Sequence, residues 1–215
     1  MVAVVAMFVS VGFAQPSGPP VVRGDPGAAR ELEALMRAGE HGSWSVKYEF
    51  TRTLAGGRAL RQAMQEARDT SMHVLRSGSV MSVDKGERSY DCNLVGARFV
   101  CHESRADKVL PASEVLRVAA AAGAYVVRRA SGETIAGTRA RCFRVVTTGR
   151  GQLPDLGVEE DLCLAANGVS LRQRVMRASG DVDERLARSV TDRVTDSTIR
   201  DAARGFDPNH PTRQG

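Results

Sequence analysis

Residues Cys92 to Cys101 read Cys-Asn-Leu-Val-Gly-Ala-Arg-Phe-Val-Cys, with a cysteine at each end and the midpoint between Gly96 and Ala97. A two-residue turn that begins with glycine favours a type II′ β-hairpin. Counting outward from that turn places the two cysteines at a non-hydrogen-bonded pair, where Cα atoms approach to about 4.5 Å, the short end of the range for a disulfide. The stretch therefore predicts a hairpin that a Cys92–Cys101 bridge closes.

The other two cysteines, Cys142 and Cys163, form a second couple whose centre lies in a Gly- and Pro-containing stretch, residues 148–157. Such a stretch is typical of a loop between two strands, and we predict a second disulfide across it. The alternatives are four free buried thiols or a zinc site. The C-x2-C and C-x-x-H spacings typical of zinc ligands are absent from the sequence. Bridged cysteines indicate an extracytoplasmic protein, and no metal is predicted.

The N-terminal residues Met1 to Ala14 are almost wholly apolar, with small residues at Gly12 and Ala14. This pattern predicts a signal peptide over residues 1–14, cleaved after Ala14, and a flexible Pro/Gly-rich linker over residues 15–26. The positively charged start that signal peptides usually have is missing, because Arg23 is the first basic residue. The end of a longer membrane anchor therefore remains the alternative, since this stretch is too short to cross a bilayer of about 30 Å.

The chain has 215 residues and a net charge of +5, with 27 arginines and 3 lysines among its basic residues. Few aromatic residues are interleaved with the arginines and no nucleic-acid-binding motif occurs, so nucleic acid is excluded as a partner. The excess of basic over acidic residues favours peripheral contact with an anionic membrane or a cell-wall polymer. Most of the arginines are expected on a solvated surface.

Residues 27–204 are enough for one domain with its own core, followed by a disordered tail over residues 205–215. Helices are predicted at 26–39 and at 111–123, the second with Ser113 as N-cap, and residues 59–68 also have a helical pattern. Strands are predicted at 43–51, 70–78, 79–83, in the cysteine hairpin, and in an antiparallel meander over 124–195 with turns at 130–132, 167–168 and 179–181. The fold class is α+β.

Catalytic motifs are missing from the sequence. His41, His73, His102 and His210 are scattered without metal-ligand spacing, and neither a G-x-S-x-G elbow nor a phosphate-binding glycine loop occurs. The acidic run at residues 159–161 is more typical of a solvated face or a guarded sheet edge than of a cation site. We therefore predict a protein that is not an enzyme and uses no cofactor.

A stripe of large apolar residues follows the first predicted strand. Its members, which alternate with polar residues, are Trp44, Val46, Tyr48 and Phe50. Two interpretations remain open. The stripe is ordinary core, or it lines a ligand cavity together with one side of the second helix. The helix residues predicted to line that cavity are Val115, Leu116 and Ala119.

Two later segments carry a family resemblance. Residues 135–145 contain Gly-x4-Cys-Phe-x-Val around Cys142, and residues 162–171 contain Cys163 followed by Asn-Gly-Val-Ser-Leu. With the order of helices and strands, these segments resemble the LolA/LppX-like superfamily of exported lipoprotein- and lipid-carrier domains over about residues 27–200. The resemblance implies a curved antiparallel β half-barrel, left unclosed, with helices covering a concave face that accepts acyl chains.

The leading functional hypothesis is accordingly a secreted, non-enzymatic carrier domain for a lipid or an acyl-bearing ligand. The alternative is an extracytoplasmic sensory or regulatory domain that binds a protein segment, such as an anti-sigma factor or another membrane-protein ectodomain. A hydrolase with unrecognised residues is a third and weaker hypothesis. Co-purifying lipid would favour the carrier, and capture of an ectodomain would favour the sensor.

Overall fold

A computed structural model describes residues 24–104, 111–148 and 157–207 of the chain. The predicted signal peptide, most of the 148–157 loop and the end of the C-terminal tail lie outside these residues. Within them, no helix is long and apolar enough to span a bilayer.

One antiparallel sheet of eleven strands dominates the described residues, and each strand pairs with its neighbour in the order β6-β5-β4-β3-β2-β1-β11-β10-β9-β8-β7. The strands are β1 (Trp44–Thr53), β2 (Ala59–Arg68), β3 (Met72–Ser77), β4 (Val80–Lys85), β5 (Arg88–Val95), β6 (Arg98–Ser104), β7 (Tyr125–Ile135), β8 (Thr138–Thr147), β9 (Glu159–Leu164), β10 (Ser170–Met176) and β11 (Val182–Thr191). Because β6 and β7 stay apart as edges, the sheet is an unclosed, curved half-barrel. The predicted α+β half-barrel is confirmed.

Three helices accompany the sheet in the described part of the chain: α1 (Pro26–His41), α2 (Ala112–Ala121) and α3 (Asp196–Ala202). The first two pack over β7, β8 and β9, where Leu32 and Leu116 share a buried cluster with Phe143. The third packs beside β2 and β3, and its Ile199 lies in a separate cluster with Ala67.

The helices lie on opposite faces of the sheet. Directly opposed residues share a face, and following the pairs across the sheet places Phe143 on the same face as Phe50. Ala67 is opposite Ser45. Ser45 and Phe50 are an odd number of residues apart in β1, so Ser45, and Ala67 with it, lies on the other face. We call the two surfaces the α1 face and the α3 face.

Both predicted disulfides are confirmed. Cys92 is directly opposite Cys101 in the β5–β6 ladder, with Cα atoms 3.9 Å apart. Cys142 is directly opposite Cys163 in the β8–β9 ladder, with Cα atoms 4.1 Å apart. Gly96 has a φ of +63°, as the first of the two central residues of a type II′ turn requires.

Removing the two disulfides should have unequal costs. The bridge between Cys142 and Cys163 spans 21 residues and the bridge between Cys92 and Cys101 spans 9. Because the longer loop loses more entropy on closure, the Cys142→Ala/Cys163→Ala variant should lose about 0.7 kcal/mol more unfolding free energy than the Cys92→Ala/Cys101→Ala variant. Urea unfolding of both variants measures the difference, and an inverted order would contradict the loop-entropy argument.

The prediction of helix at residues 59–68 is wrong, because these residues form strand β2. Their alanine, arginine, glutamine, methionine and glutamate residues all favour helices. However, β2 lies between β1 and β3, and it pairs with β1 over its whole length and with β3 over its second half. The ladders on both sides and the burial of Ala67 outweigh the local preference, which is worth only tenths of a kcal/mol per residue.

Two local predictions also need correction. The chain does not turn at residues 130–132, where β7 has only a register shift, and the β7–β8 turn lies at Ala136-Gly137, both with positive φ. Ser113 does not cap α2, whose N-cap is Pro111. Ser113 instead donates its backbone N–H and its hydroxyl to the carboxylate of Glu40, at 2.8 and 2.6 Å, and so ties α2 to α1.

The folded part extends to both ends of the described chain. Asp25 caps α1 by accepting from the backbone N–H of Gly27, and its own N–H donates to the carbonyl of Val127 in β7. At the other end, Phe206 packs edge-on against Tyr90, with ring centroids 5.1 Å apart.

Candidate functional site

A row of polar side chains crosses the α1 face from β9 to β4. By strand alternation these residues share the face of the aromatic stripe, where apolar side chains would be expected. Each is half-buried except the last, whose side chain is 53% exposed. The members of this polar row are Glu160, Gln173, Arg185, Glu66, His73 and Asp84.

His73 lies between two carboxylates in the row. Its Nε2 is 2.9 Å from the Oε1 of Glu66, and its Nδ1 is 3.1 Å from the Oδ2 of Asp84. The Trp44 ring packs edge-on against the imidazole at a centroid distance of 6.2 Å. Ser89 donates to the other oxygen of Asp84 at 2.7 Å. Three neighbouring strands are thus joined through one imidazole.

Arg185 joins this triad to the other half of the row. Its guanidinium lies 3.8 Å from the Oε2 of Glu66 and donates to the side-chain carbonyl of Gln173. The Gln173 amide in turn donates to Glu160 at 2.5 Å. The guanidinium also lies over the Tyr48 ring, 5.8 Å from its centroid. Charges of opposite sign therefore alternate along the row.

The environment shifts several pKa values in this row. Burial raises the pKa of Glu66, but the hydrogen bond from His73 and the charge of Arg185 outweigh it, so the net shift is downward. Burial raises the pKa of Glu160, and the hydrogen bond from Gln173 offsets only part of that rise. Burial also raises the pKa of Tyr48. Glu66 is therefore held ionised, while Glu160 is easier to protonate.

Burial lowers the pKa of His73, but the hydrogen bonds to Asp84 and Glu66 outweigh it and leave the pKa above its usual value. Nearby Arg68 opposes this rise. A base with a raised pKa in the folded state stabilises the fold fully below its unfolded pKa of about 6.5 and loses that contribution as the pH rises through the folded pKa.

Replacing His73 with glutamine should therefore cost more stability at pH 6 than at pH 9. The measurement is the unfolding free energy of both proteins across that range. His41→Gln, a change of an exposed histidine at the end of α1, serves as the control. A cost for His73→Gln that does not depend on pH would contradict a protonated His73.

The residues predicted to bind a ligand fall into two groups. Trp44, Val46 and Tyr48 are buried in one cluster with residues of β8 to β11, and the Trp44 indole donates to the carbonyl of Gly39 at 2.8 Å. Trp44 is therefore buried on the α1 face. Phe50 is only half-buried.

The helix residues of the predicted site belong to a different cluster. Leu116 and Ala119 pack with α1 and β7, while Val115 is half-buried. Leu116 also lines an apolar groove of about 420 Å³ between α1, α2 and β7. Tyr125 lines the same groove, and its hydroxyl is buried without a hydrogen-bond partner among the described residues.

Sequence reasoning missed most of the polar row. It assigns no role to His73 and places Glu160 in an acidic run typical of a solvated face, but both residues are half-buried. The sequence does contain one indication of the polar row, because Glu66 and Met64 are two residues apart and so lie on the same face of β2. This spacing places a charged residue on a partly apolar strand face. It can be recognised only when residues 59–68 are assigned to a strand.

One cluster of possible metal-ligating atoms occurs in the described residues, formed by Glu133, Cys142 and Cys163. The two sulfur atoms are bonded to each other, so neither can act as a thiolate ligand. Arg172 neutralises the Glu133 carboxylate at 2.9 Å.

No family model matches the sequence, and no curated relative matches it. Solved structures do match. The crystal structure of MucB has a TM-score of 0.52 at 14% identity, with 81% of this chain and 62% of that chain covered. MucB in complex with MucA(peri) has a TM-score of 0.51 at 15% identity, with 80% and 58% covered. An uncharacterized conserved protein from Thermus thermophilus has a TM-score of 0.52 at 10% identity, with 86% and 99% covered.

This chain thus spans about three fifths of the length of the MucB chains it matches. At these identities the likeness is one of fold. A LolA superfamily protein from Nitrosomonas europaea and LppX from Mycobacterium tuberculosis also match, at TM-scores of 0.35 and 0.41. The chain shares its fold with MucB and with the Thermus thermophilus protein, and that unclosed antiparallel sheet is the fold that the resemblance in its sequence implies.

Proposed function

We propose that this chain is an extracytoplasmic, non-enzymatic binding domain that holds a polypeptide segment of another protein on the α1 face. The observation that carries the proposal is the polarity of that face where α1 and α2 do not pack, from β2 to β5. The two disulfides support an oxidising, extracytoplasmic location. An N-terminal signal peptide would deliver the domain there.

The α1 face of β2 to β5 offers hydrogen-bonding groups. Gln62 donates to the hydroxyl of Ser77 at 2.8 Å, and Ser82 donates to the carboxylate of Asp91 at 3.0 Å. An acyl chain laid over these groups would remove their remaining donors and acceptors from water without offering a hydrogen bond, which costs about 1 to 3 kcal/mol for each one left unpaired. A polypeptide segment offers both donors and acceptors.

The structural comparison gives separate support for a protein partner. MucB, which shares the fold, is found in complex with MucA(peri). A segment of a membrane-protein ectodomain, such as that of an anti-sigma factor, is the partner class that we propose for this chain.

Peptide arrays probed with the purified protein test the proposal, with hits measured by fluorescence anisotropy. Ser77→Arg and Ser82→Arg place a bulky charge on the α1 face and should weaken peptide binding at least tenfold. Ser131→Arg, an exposed change on edge strand β7, should leave binding unchanged. The proposal fails if no peptide binds, or if all three variants bind like the unmodified protein.

Lipid carriage is the second candidate, favoured by the apolar groove beside Leu116. The ligand would contact the predicted lining of Trp44, Val46, Tyr48, Phe50, Val115, Leu116 and Ala119. Organic extraction and mass spectrometry of the purified protein would then detect lipid, and added fatty acid would shift the Trp44 emission. Val46→Gln should weaken lipid uptake. Clean extracts together with an unchanged emission spectrum would exclude this candidate.

A further inference from the structure

A second groove, of about 450 Å³, lies on the α3 face between α3 and strands β1, β2, β3 and β11. Its lining is wholly polar and includes five serine or threonine residues. It contains three basic side chains, Lys47, Arg76 and Arg204, and one acidic side chain, Asp201. The groove therefore has a net charge of +2 and is on the opposite side of the sheet from the polar row.

The floor of the groove is a single cross-strand row. Ser189 is opposite Lys47, Lys47 is opposite Gln65, and Gln65 is opposite Arg76. Adjacent strands lie about 4.8 Å apart, so the Lys47 and Arg76 side chains arise about 10 Å apart, with the Gln65 amide between them. This spacing leaves room for one small anion between two cations and above an amide donor.

The wall of the groove is α3, which is fixed in position. Ile199 and Ala202 are buried against Ala67 and Val74, and Thr195 forms a reciprocal capping box with Thr198 at the start of the helix. With one side of the helix anchored in the core, Asp201 lines the groove, and so does Arg204, two residues beyond the end of α3. Arg204 contacts Asp201 at 2.7 Å, which neutralises the one carboxylate of the lining.

The two cations of the floor have no acidic partner of their own among the described residues. Arg76 stacks over the Phe99 ring at 5.1 Å, which holds its guanidinium in place without neutralising it. Such a guanidinium, an ammonium, hydroxyls and an amide are the donors that bind tetrahedral oxyanions, through short charge-assisted hydrogen bonds. We propose that the α3-face groove is a binding site for a phosphate group.

Two kinds of ligand present the same phosphate chemistry to this groove: free inorganic phosphate and the phosphate groups at the surface of an anionic membrane. Calorimetric titration with inorganic phosphate tests the site itself. Sedimentation with phosphatidylcholine vesicles, with and without phosphatidic acid, identifies the source. Binding to the acidic vesicles that depends on the groove residues assigns the phosphate to the membrane, and binding of inorganic phosphate alone assigns it to a small anion.

The Lys47→Gln/Arg76→Gln variant should bind phosphate, in either form, at least tenfold more weakly. Arg204→Gln leaves Asp201 without its partner and should also weaken binding at least tenfold. Because Arg204 is exposed, this change should leave the fold intact. Arg98→Gln/Arg139→Gln removes the same charge from exposed positions on β6 and β8 and should change binding less than twofold. Thermal melting checks that each variant is folded.

The proposal is overturned if the unmodified protein binds neither inorganic phosphate nor the acidic vesicles. It is also overturned if the control variant loses as much affinity as the groove variants, which would indicate only a general charge effect. Because the peptide assay concerns the α1 face, its outcome leaves this test unaffected.

Discussion

Replacing Gly168 with alanine should destabilise the domain by about 4 kcal/mol, the sum of backbone strain and overpacking. Gly168 has a φ of +82°, and a Cβ there would lie 1.9 Å from the carbonyl oxygen of Leu35 and 2.3 Å from the backbone nitrogen of Gly39. Both contacts are with the backbone of α1, so no side-chain rotation relieves them. The helix would have to lift off the β9–β10 turn, and urea unfolding measures the loss.

Gly57 provides the matched control. It also has a φ of +82°, but nothing lies within 4 Å of its Cβ position. Gly57→Ala should therefore cost only the backbone strain, about 1 to 2 kcal/mol. Equal losses in the two variants would mean that the close approach of α1 to the turn contributes nothing to the cost.

The second large effect is expected at Arg185. Replacing it with leucine should lower the unfolding free energy at pH 7 by about 3 kcal/mol, because it removes the cation that lies beside one half-buried carboxyl group and near another. Those carboxyls are Glu66, which Arg185 contacts directly, and Glu160, which it reaches through Gln173. Chemical unfolding at pH 7 and at pH 4 provides the measurement.

The loss should shrink at low pH. A carboxyl with a lowered folded pKa, such as Glu66, stabilises the fold above its unfolded pKa and loses that contribution as the pH falls through the folded pKa. Once both carboxyls are protonated, the missing cation matters less. Arg188→Leu is the control, since its pair with Glu49 is exposed and should be worth less than about 1 kcal/mol. A loss for Arg185→Leu that is no larger than the control's would contradict the network.

Much of the sheet was predictable because its signals are local. The turn at Gly96-Ala97 sets the register that brings Cys92 opposite Cys101, and strands β7 to β11 lie within the antiparallel meander predicted over residues 124–195. The predicted stripe of β1 has the expected alternation, with Trp44 and Tyr48 buried. Where local preference and sheet pairing disagreed, as in residues 59–68, the sequence pattern was misleading.

The two candidate sites could not be predicted in the same way. The polar row joins six strands, and Glu66 lies 119 residues from Arg185 in the sequence, although their side chains are in contact. The α3-face groove combines residues of β1 and β3 with those of α3, a helix that the sequence did not predict. Neither site has a motif, because no two of its defining residues need a fixed spacing along the chain.

The sequence by itself determined the alternation of β1, the turns other than the one predicted at 130–132, the pairing of the cysteines and the resemblance to a half-barrel fold. These depend on neighbouring residues or on a single hairpin, where the backbone geometry is set within a few residues. Only the tertiary structure decided which face each helix covers, that β1 pairs with β11, and that Glu66, His73 and Arg185 meet on one face. Those outcomes depend on how distant strands pair and on which buried charges neutralise one another, and both are properties of the whole sheet.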